Sequence, residues 1–332
     1  MKVLFIGGTG IISTAVSKEA VERGIDLYVL NRGNRNDTLP EGVTILTGDI
    51  YNEEQMNHVL QGQYFDAIVQ WIAFTVEHVE RDVRLFQEHT KQYVFISSAS
   101  AYQKPIPFLP VTENVPLDNP YWTYSKNKQL CEEYLLGAQT RNFKVTIIRP
   151  SHTYNNKMLV SQLHSHSHPY TMLNRMKQGK PVIIPDKGMQ LWTLTYNADF
   201  AKGFVDILGN IKTYGKYYHL TSDKVYTWER IHELIANALG VEMNVVYIPW
   251  DTIFEHFPEF QPEILGDKQK SLVFDNKKIR KVAPNWTSET DYGDIVKQVV
   301  DYYESDPSLQ TIDTAFDTRY DGLIEQYQSN KK

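Results

Sequence analysis

Apolar residues fall along the first 150 positions in short, nearly unbroken runs: Val3–Ile6, Leu27–Leu30, Val43–Leu46, Ala67–Ile72, Tyr93–Ile96 and Val145–Ile148. A strand covered by helices on both faces reads as a solid apolar run, whereas a half-exposed strand alternates apolar with polar positions. Between the runs the spacing turns helical. Thr14–Arg23 can set Ala15, Ala20 and Val21 against a sheet, with Gly24 suited to end the helix, and Val76–Glu88 is a longer helical pattern. The alternation predicts βαβ units and an α/β, doubly wound parallel sheet over residues 1–150.

After Arg149-Pro150 the rhythm breaks. Ser151–Pro169 is polar, rich in histidine and without clear period. Beyond it the pattern predicts a helix over Thr171–Lys177, strands at Val182–Ile184 and Tyr217–Leu220, and a helix over Trp228–Leu239. An acidic helical tail follows Asp306, either packed as an arm or mobile. Residues 151–332 are therefore expected to mix segments returning to the sheet with a smaller C-terminal, substrate-binding lobe. There is no internal repeat.

Bulk properties remove several classes of function. A chain of 332 residues can bury the core of one large domain or two modest ones. No apolar run approaches the roughly 20 residues of a membrane span. Val3–Ile6 is shorter than the about 7–15 residues of a signal-peptide core. The single cysteine, Cys131, excludes an intramolecular disulfide and fits a reducing, cytoplasmic setting. The net charge of −6, from 34 basic and 40 acidic residues, argues against a broad nucleic-acid surface, which needs a basic face.

Gly7-Gly8-Thr9-Gly10-Ile11-Ile12-Ser13 lies between the first strand and first helix. Glycines make the tight turn and leave room for a pyrophosphate against the amides at the helix start. Counted as G-x-x-G-x-x-G, the turn supplies Gly7 and Gly10, with small Ser13 in the third place. Gly7, Gly10, Ile11 and Ile12 are the expected contacts of a dinucleotide in a Rossmann-like domain. The second strand ends at Leu30-Asn31-Arg32-Gly33, where NAD-binding folds usually carry an acid for the ribose 2′-hydroxyl. Asn31 has no charge, and Arg32, with Arg35 near it, suits a 2′-phosphate. The reading is an NAD(P) site with NADP somewhat favoured over NAD. The alternative is that both arginines only face solvent. Asp49 is placed to accept from an adenine amino group, or else serves as a turn residue.

Tyr124 and Lys128 stand four residues apart, on one face if the segment is helical. An ammonium beside a phenol favours the phenolate, so such a tyrosine can exchange a proton with a substrate hydroxyl while hydride moves. A chain with 21 tyrosines offers such pairs by chance. The pair gains weight from Ser97-Ser98-Ala99-Ser100-Ala101-Tyr102, which follows the fifth strand at the carboxyl edge where open α/β sheets bind ligands. Alone, that loop reads as turn chemistry.

Together these residues resemble the extended short-chain dehydrogenase/reductase superfamily, in its NAD-dependent epimerase/dehydratase-like branch. The resemblance runs over roughly residues 1–285 and rests on Gly7–Ser13, Asp49, Ser97–Tyr102, Tyr124 with Lys128, and Arg149-Pro150. It implies Ser98, Tyr124 and Lys128 as catalytic residues, with Ser97, Tyr124 and Lys128 also touching the cofactor. It further implies a second substrate under the C-terminal lobe and, by analogy, a homodimer through the helices flanking the tyrosine.

Three positions depart from the pattern. Sugar-nucleotide members usually carry asparagine where this chain has His152, and an arginine for the substrate pyrophosphate where it has Trp192, seven residues before Asp199. Val69-Gln70-Trp71 replaces the histidine and small residues often found there. A tryptophan cannot neutralise a diphosphate but can stack on a sugar or base. His152 and Trp192 are thus the candidate substrate contacts.

The expected activity is that of an NAD(P)-dependent epimerase/dehydratase-type oxidoreductase on a hydroxyl or carbonyl carbon of a sugar or nucleotide-sugar-like substrate. The alternatives are an NADPH-dependent reductase of a small carbonyl compound, and a non-enzymatic nucleotide sensor or RNA-binding protein on the same fold. The N-terminus also loosely resembles stem-loop-binding relatives of the latter kind. Alternating His164, His166 and His168 would share one side of an extended strand, as metal ligands do, but no partner carboxylate or cysteine lies nearby in sequence. A polar loop is the preferred reading, and no metal is expected.

Overall fold

The computed structural model describes residues 1–34 and 36–330. In the first half the strands are β1 (Lys2–Ile6), β2 (Asp26–Asn31), β3 (Thr44–Thr47), β4 (Ala67–Gln70), β5 (Gln92–Ile96) and β6 (Lys144–Pro150). Then come β7 (His152–Tyr154), β8 (Val182–Pro185), β9 (Leu191–Tyr196), β10 (Lys216–Leu220), β11 (Val225–Thr227) and β12 (Val245–Ile248). Seven strands pair in parallel in the order β3-β2-β1-β4-β5-β6-β10. The fold is the expected Rossmann-like, doubly wound α/β sheet.

Alternate residues of each strand feed opposite faces, which explains the unbroken apolar runs. Val3, Phe5, Val29 and Val69 enter one core with Val16 and Ala20 of α1 (Ile11–Glu22) and with the helix Asn197–Val205. Leu4, Ile6, Ile68 and Phe95 enter the other. There they meet α2 (Glu53–Leu60), α3 (Val76–Phe86) and α4 (Thr123–Gly137). The order reverses between β1 and β4: the chain leaves β1 towards β2 and β3, then returns on the other side. Such a switch point opens a crevice beyond the carboxyl ends of the strands.

The chain forms two compact units. One comprises Met1–Thr153, Thr195–Asp223 and Phe274–Glu289; the other comprises Tyr154–Leu194, Lys224–Val273 and the described residues from Thr290 onward. The first therefore takes the helix Asn197–Val205 and β10 from the second half of the sequence. In the second unit β8 pairs in parallel with β12, and β9 runs antiparallel to β11. The acidic tail is a packed helix, Thr314–Ser329, whose Phe316, Tyr320, Leu323 and Ile324 join Phe257 and Phe260 in a separate core. Arg175 anchors it by ion pairs with Asp317 at 2.5 Å and Asp321 at 2.6 Å.

The departures from the sequence pattern have local causes. The fourth strand stops at Gln70 rather than Ile72, because Gln70 Oε1 accepts the Ile72 N–H at 2.8 Å and turns the chain. α2 buries only Met56 and Leu60, too few positions to show a periodic signal. β7, β11 and β12 are short and only partly buried, so they lack the apolar signature of the main sheet.

Candidate active site

β1 delivers the chain into the glycine turn. Gly7 adopts φ +79°, a left-handed conformation, and a Cβ there would lie 2.9 Å from Ile72 Cγ2. Gly8, outside the counted motif, is constrained by space alone: its Cβ would sit 2.9 Å from Val29 Cγ1. α1 starts directly after Gly10, so the amides of Ile11 and Ile12 have no acceptor within the helix. Ser13, in the third-glycine place, is buried, and its Oγ accepts the Gly10 N–H at 2.9 Å. The serine keeps the helix close to the sheet and also ties down the turn.

Two clefts meet at this turn. The first, about 400 Å³, is lined by Gly7, Gly10, Ile11, Ile12, Ser97, Ser98, Tyr124 and Lys128, among others. The second, about 350 Å³, is lined among others by Asn31, Arg32, Asp49 and Tyr51. Both share Gly7, Thr9, Ile72 and Phe74, so they form one elongated crevice along the carboxyl edge of the sheet. Ile72 and Phe74 were not apparent from sequence. They are large apolar residues left 39% and 45% exposed just past a strand end, a signal visible only once burial is known.

In the first cleft α4 holds Tyr124 in its first turn and Lys128 one turn on. Lys128 is 2% exposed, and its Nζ donates to the Ala73 and Ile96 carbonyls at 2.7 Å each. An ammonium has three protons, so one remains beyond these two bonds. Nζ also lies 4.7 Å from the centre of the Phe74 ring, 4.8 Å from that of Phe95 and 5.8 Å from that of Tyr124. Burial pulls the Lys128 pKa from its ordinary 10.5 down to about 8. Ser98 begins a short turn of 3₁₀ helix, its Oγ accepting the Ser100 N–H at 3.2 Å. Ser97 is buried, and its Oγ has no hydrogen-bond partner among the described residues.

In the second cleft Asn31 spends its side chain on its own loop. Its Oδ1 accepts the Gly33 N–H at 2.7 Å and its Nδ2 donates to Asn36 Oδ1 at 2.8 Å. Asp49 Oδ1 accepts the Tyr51 N–H at 3.0 Å, a local turn contact. Arg32 is exposed at the rim, and Arg35 lies outside the described residues.

The two candidate substrate contacts sit elsewhere. Extended backbone alternates its side chains, and the first cleft takes Ser151 and Thr153 from the segment around β7 rather than His152, which is half-buried between them. Trp192 belongs to the second unit, is 1% exposed, and packs against Trp228 with ring centres 5.1 Å apart. It lines neither cleft. The histidine segment is a series of bends, not a strand, although the rings of His164 and His166 meet edge-on with centres 5.3 Å apart. Folding does bring a carboxylate that sequence proximity did not show: Glu263 Oε2 lies 3.8 Å from His166 Nε2. Among the described residues, no group of three His, Cys, Asp or Glu side chains could hold a metal ion. No described helix is long and apolar enough to cross a membrane.

The crevice fits a dinucleotide: it is elongated, crosses bare glycine backbone where a Cβ would collide, and ends against a buried serine oxygen that has no partner among the described residues. The fold and crevice together define a dinucleotide-binding protein of the Rossmann class. The profile of the NAD dependent epimerase/dehydratase family matches residues 3–220, and the chain belongs to that family. It is 26% identical over 290 residues to the chloroplast stem-loop binding protein of 41 kDa b of Arabidopsis thaliana, covering 83% of this chain and 68% of that one. It is 23% identical over 289 residues to the 2′-dehydrokanamycin reductase of Streptomyces kanamyceticus, covering 86% and 80%. The fold also matches the UDP-glucose 4-epimerase of Bifidobacterium longum, solved with NAD+ and UDP, at a TM-score of 0.70 and 18% identity over 92% of this chain and 99% of that one.

Proposed function

We propose that the protein is an NAD(P)-dependent oxidoreductase of the epimerase/dehydratase type, acting on a hydroxyl or carbonyl carbon of a sugar or sugar-nucleotide-like molecule. The observation that carries this reading is that Ser98, Tyr124 and Lys128 line the same cleft as the glycine turn. The dinucleotide, when bound, supplies the hydride acceptor or donor. Gly7, Gly10, Ile11 and Ile12 would hold its pyrophosphate, Ser97 and Lys128 its inner part, and Asn31, Arg32 and Asp49 its outer end. Tyr124 takes or gives the proton of the substrate oxygen, and the Lys128 ammonium favours its phenolate. Ser98 steadies the same oxygen by a hydrogen bond.

A second reading is a reductase that exchanges NADPH at each turnover. Exposed Arg32 at the outer cleft, without an acid at position 31, and the likeness to 2′-dehydrokanamycin reductase favour it. Mass spectrometry of small molecules released from the denatured protein, followed by titration with NAD(H) and NADP(H), separates the readings. Retained NAD supports a self-recycling epimerase or dehydratase. NADP, or uptake of NADPH, supports the reductase. No dinucleotide by either route overturns both and leaves a binding protein akin to the stem-loop relative. A panel of nucleotide sugars, free sugars and small carbonyl compounds then identifies the substrate, on which Tyr124→Phe must fail.

A further inference from the structure

Ser98 is not an isolated hydroxyl. Its Oγ lies 2.8 Å from Ser100 Oγ, and Ser125 Oγ donates to that same Ser100 oxygen at 2.7 Å. Ser100 and Ser125 are both buried. Asn119 Nδ2 donates to the Ser100 carbonyl at 2.6 Å and fixes the loop that carries the middle member. Ser125 follows Tyr124 directly in the first turn of α4.

We infer that Ser125 and Ser100 form a one-way hydrogen-bond relay that fixes Ser98 as a donor towards the reacting oxygen. The inference rests on the role proposed above for Ser98. A hydroxyl has one proton and accepts through two lone pairs. Ser125 gives its proton to Ser100. If Ser100 then gives its own to Ser98, every buried proton in the set has an acceptor. Ser98 Oγ in that case receives two donors, the Ser100 O–H and the Ser100 N–H, so its own proton must turn outward into the cleft it lines. The opposite direction, Ser98 donating to Ser100, makes Ser100 a double acceptor and strands its proton in a buried site, which burial penalises. Two serines that never meet the substrate therefore act as positioning residues. Because the relay starts on the helix that carries Tyr124, donor and acid/base are set by one element.

Neutron diffraction from crystals of the full chain exchanged into heavy water reads the direction without any substrate. Deuterium on Ser100 Oγ pointing to Ser98, with the Ser98 deuterium facing the cleft, is the expected map. A Ser98 deuterium pointing to Ser100 overturns the relay. Kinetics with the substrate from the panel give the second test. Ser125→Ala should lower kcat about tenfold, the scale of one misdirected hydrogen bond, with KM and dinucleotide affinity unchanged. Ser125→Thr should restore it, and Ser125→Ala should cost nothing further in a Ser98→Ala background. A loss in Ser98→Ala with none in Ser125→Ala overturns the relay alone. Full turnover in Ser98→Ala overturns the assignment on which it rests.

Discussion

At one end of the crevice Lys128 is sealed from solvent and bonded to two backbone carbonyls, and three serines share a closed set of hydrogen bonds. At the other end Arg32 stands in solvent, and Asn31 is occupied in closing its own loop. The inner end places its polar groups in a medium where orientation is expensive to change, which is what acid/base chemistry on a substrate oxygen requires. The outer end relies on an exposed charge worth little until a phosphate meets it. One edge of one sheet thus carries a rigid end, where we place the chemistry, and an adjustable end, where we place cofactor recognition. Substitutions at the first should change rate, and those at the second should change which dinucleotide binds.

The largest effect should come from Tyr124→Phe, which removes the hydroxyl proposed as proton donor and keeps the ring. Turnover should fall by about 10²–10⁴-fold, the usual contribution of a general acid or base, while dinucleotide affinity measured by fluorescence titration stays within about twofold. A comparable loss of dinucleotide binding would mean that Tyr124 belongs to the cofactor site alone.

Next comes the cost of burying Lys128. The unfolded chain holds that proton up to a pH near 10.5, the folded chain only to about 8. Below pH 8 both states are charged, and the native state bears the full cost of a buried ammonium. Between about 8 and 10.5 the folded form sheds the proton first, so the unfolded state binds more protons and stability rises with pH. The gap corresponds to about 3 kcal/mol. Denaturant midpoints followed across that window should climb more steeply for the natural chain than for Lys128→Met. Equal slopes would place the lysine in a wetter site than its contacts describe.

At the outer end Arg32→Ala should weaken NADPH about tenfold and leave NADH unchanged, the scale of one charge-assisted bond at a partly solvated site. Calorimetry with both cofactors checks this, and equal losses would remove Arg32 as the group that distinguishes them. The smallest effect is expected from Asn31→Asp. The carboxylate keeps the bond from Gly33 N–H but loses the donor to Asn36 Oδ1. NADPH should weaken by about threefold and NADH should gain slightly, since an acid at this place suits a ribose hydroxyl and repels a phosphate. A gain for NADPH would contradict that reading of the outer cleft.

Much of the fold could be read from sequence because its signals are local. Unbroken apolar runs marked β1 to β6, and Trp228–Leu239 appeared as a helix with the same bounds as in the structure. The glycine turn, the serine loop and the Tyr124–Lys128 spacing pointed to residues that line one crevice. Other features had no local signal. β10 joins β6 although some 70 residues separate them, and only the parallel pairing of Tyr218 with Ile148 shows it. Ser100 and Ser125 are ordinary buried serines until folding brings their oxygens to 2.7 Å. The exposed apolar pair at the centre of the crevice, Ile72 and Phe74, is defined by what fails to cover it.

By itself the sequence determined the period of each element and the places where backbone must run bare, because both are properties of neighbouring residues. Tertiary structure alone decided which hydroxyls meet, which side of β7 meets the cleft, and that Trp192 packs against Trp228. Those outcomes depend on distances between segments far apart along the chain, and no periodicity encodes them.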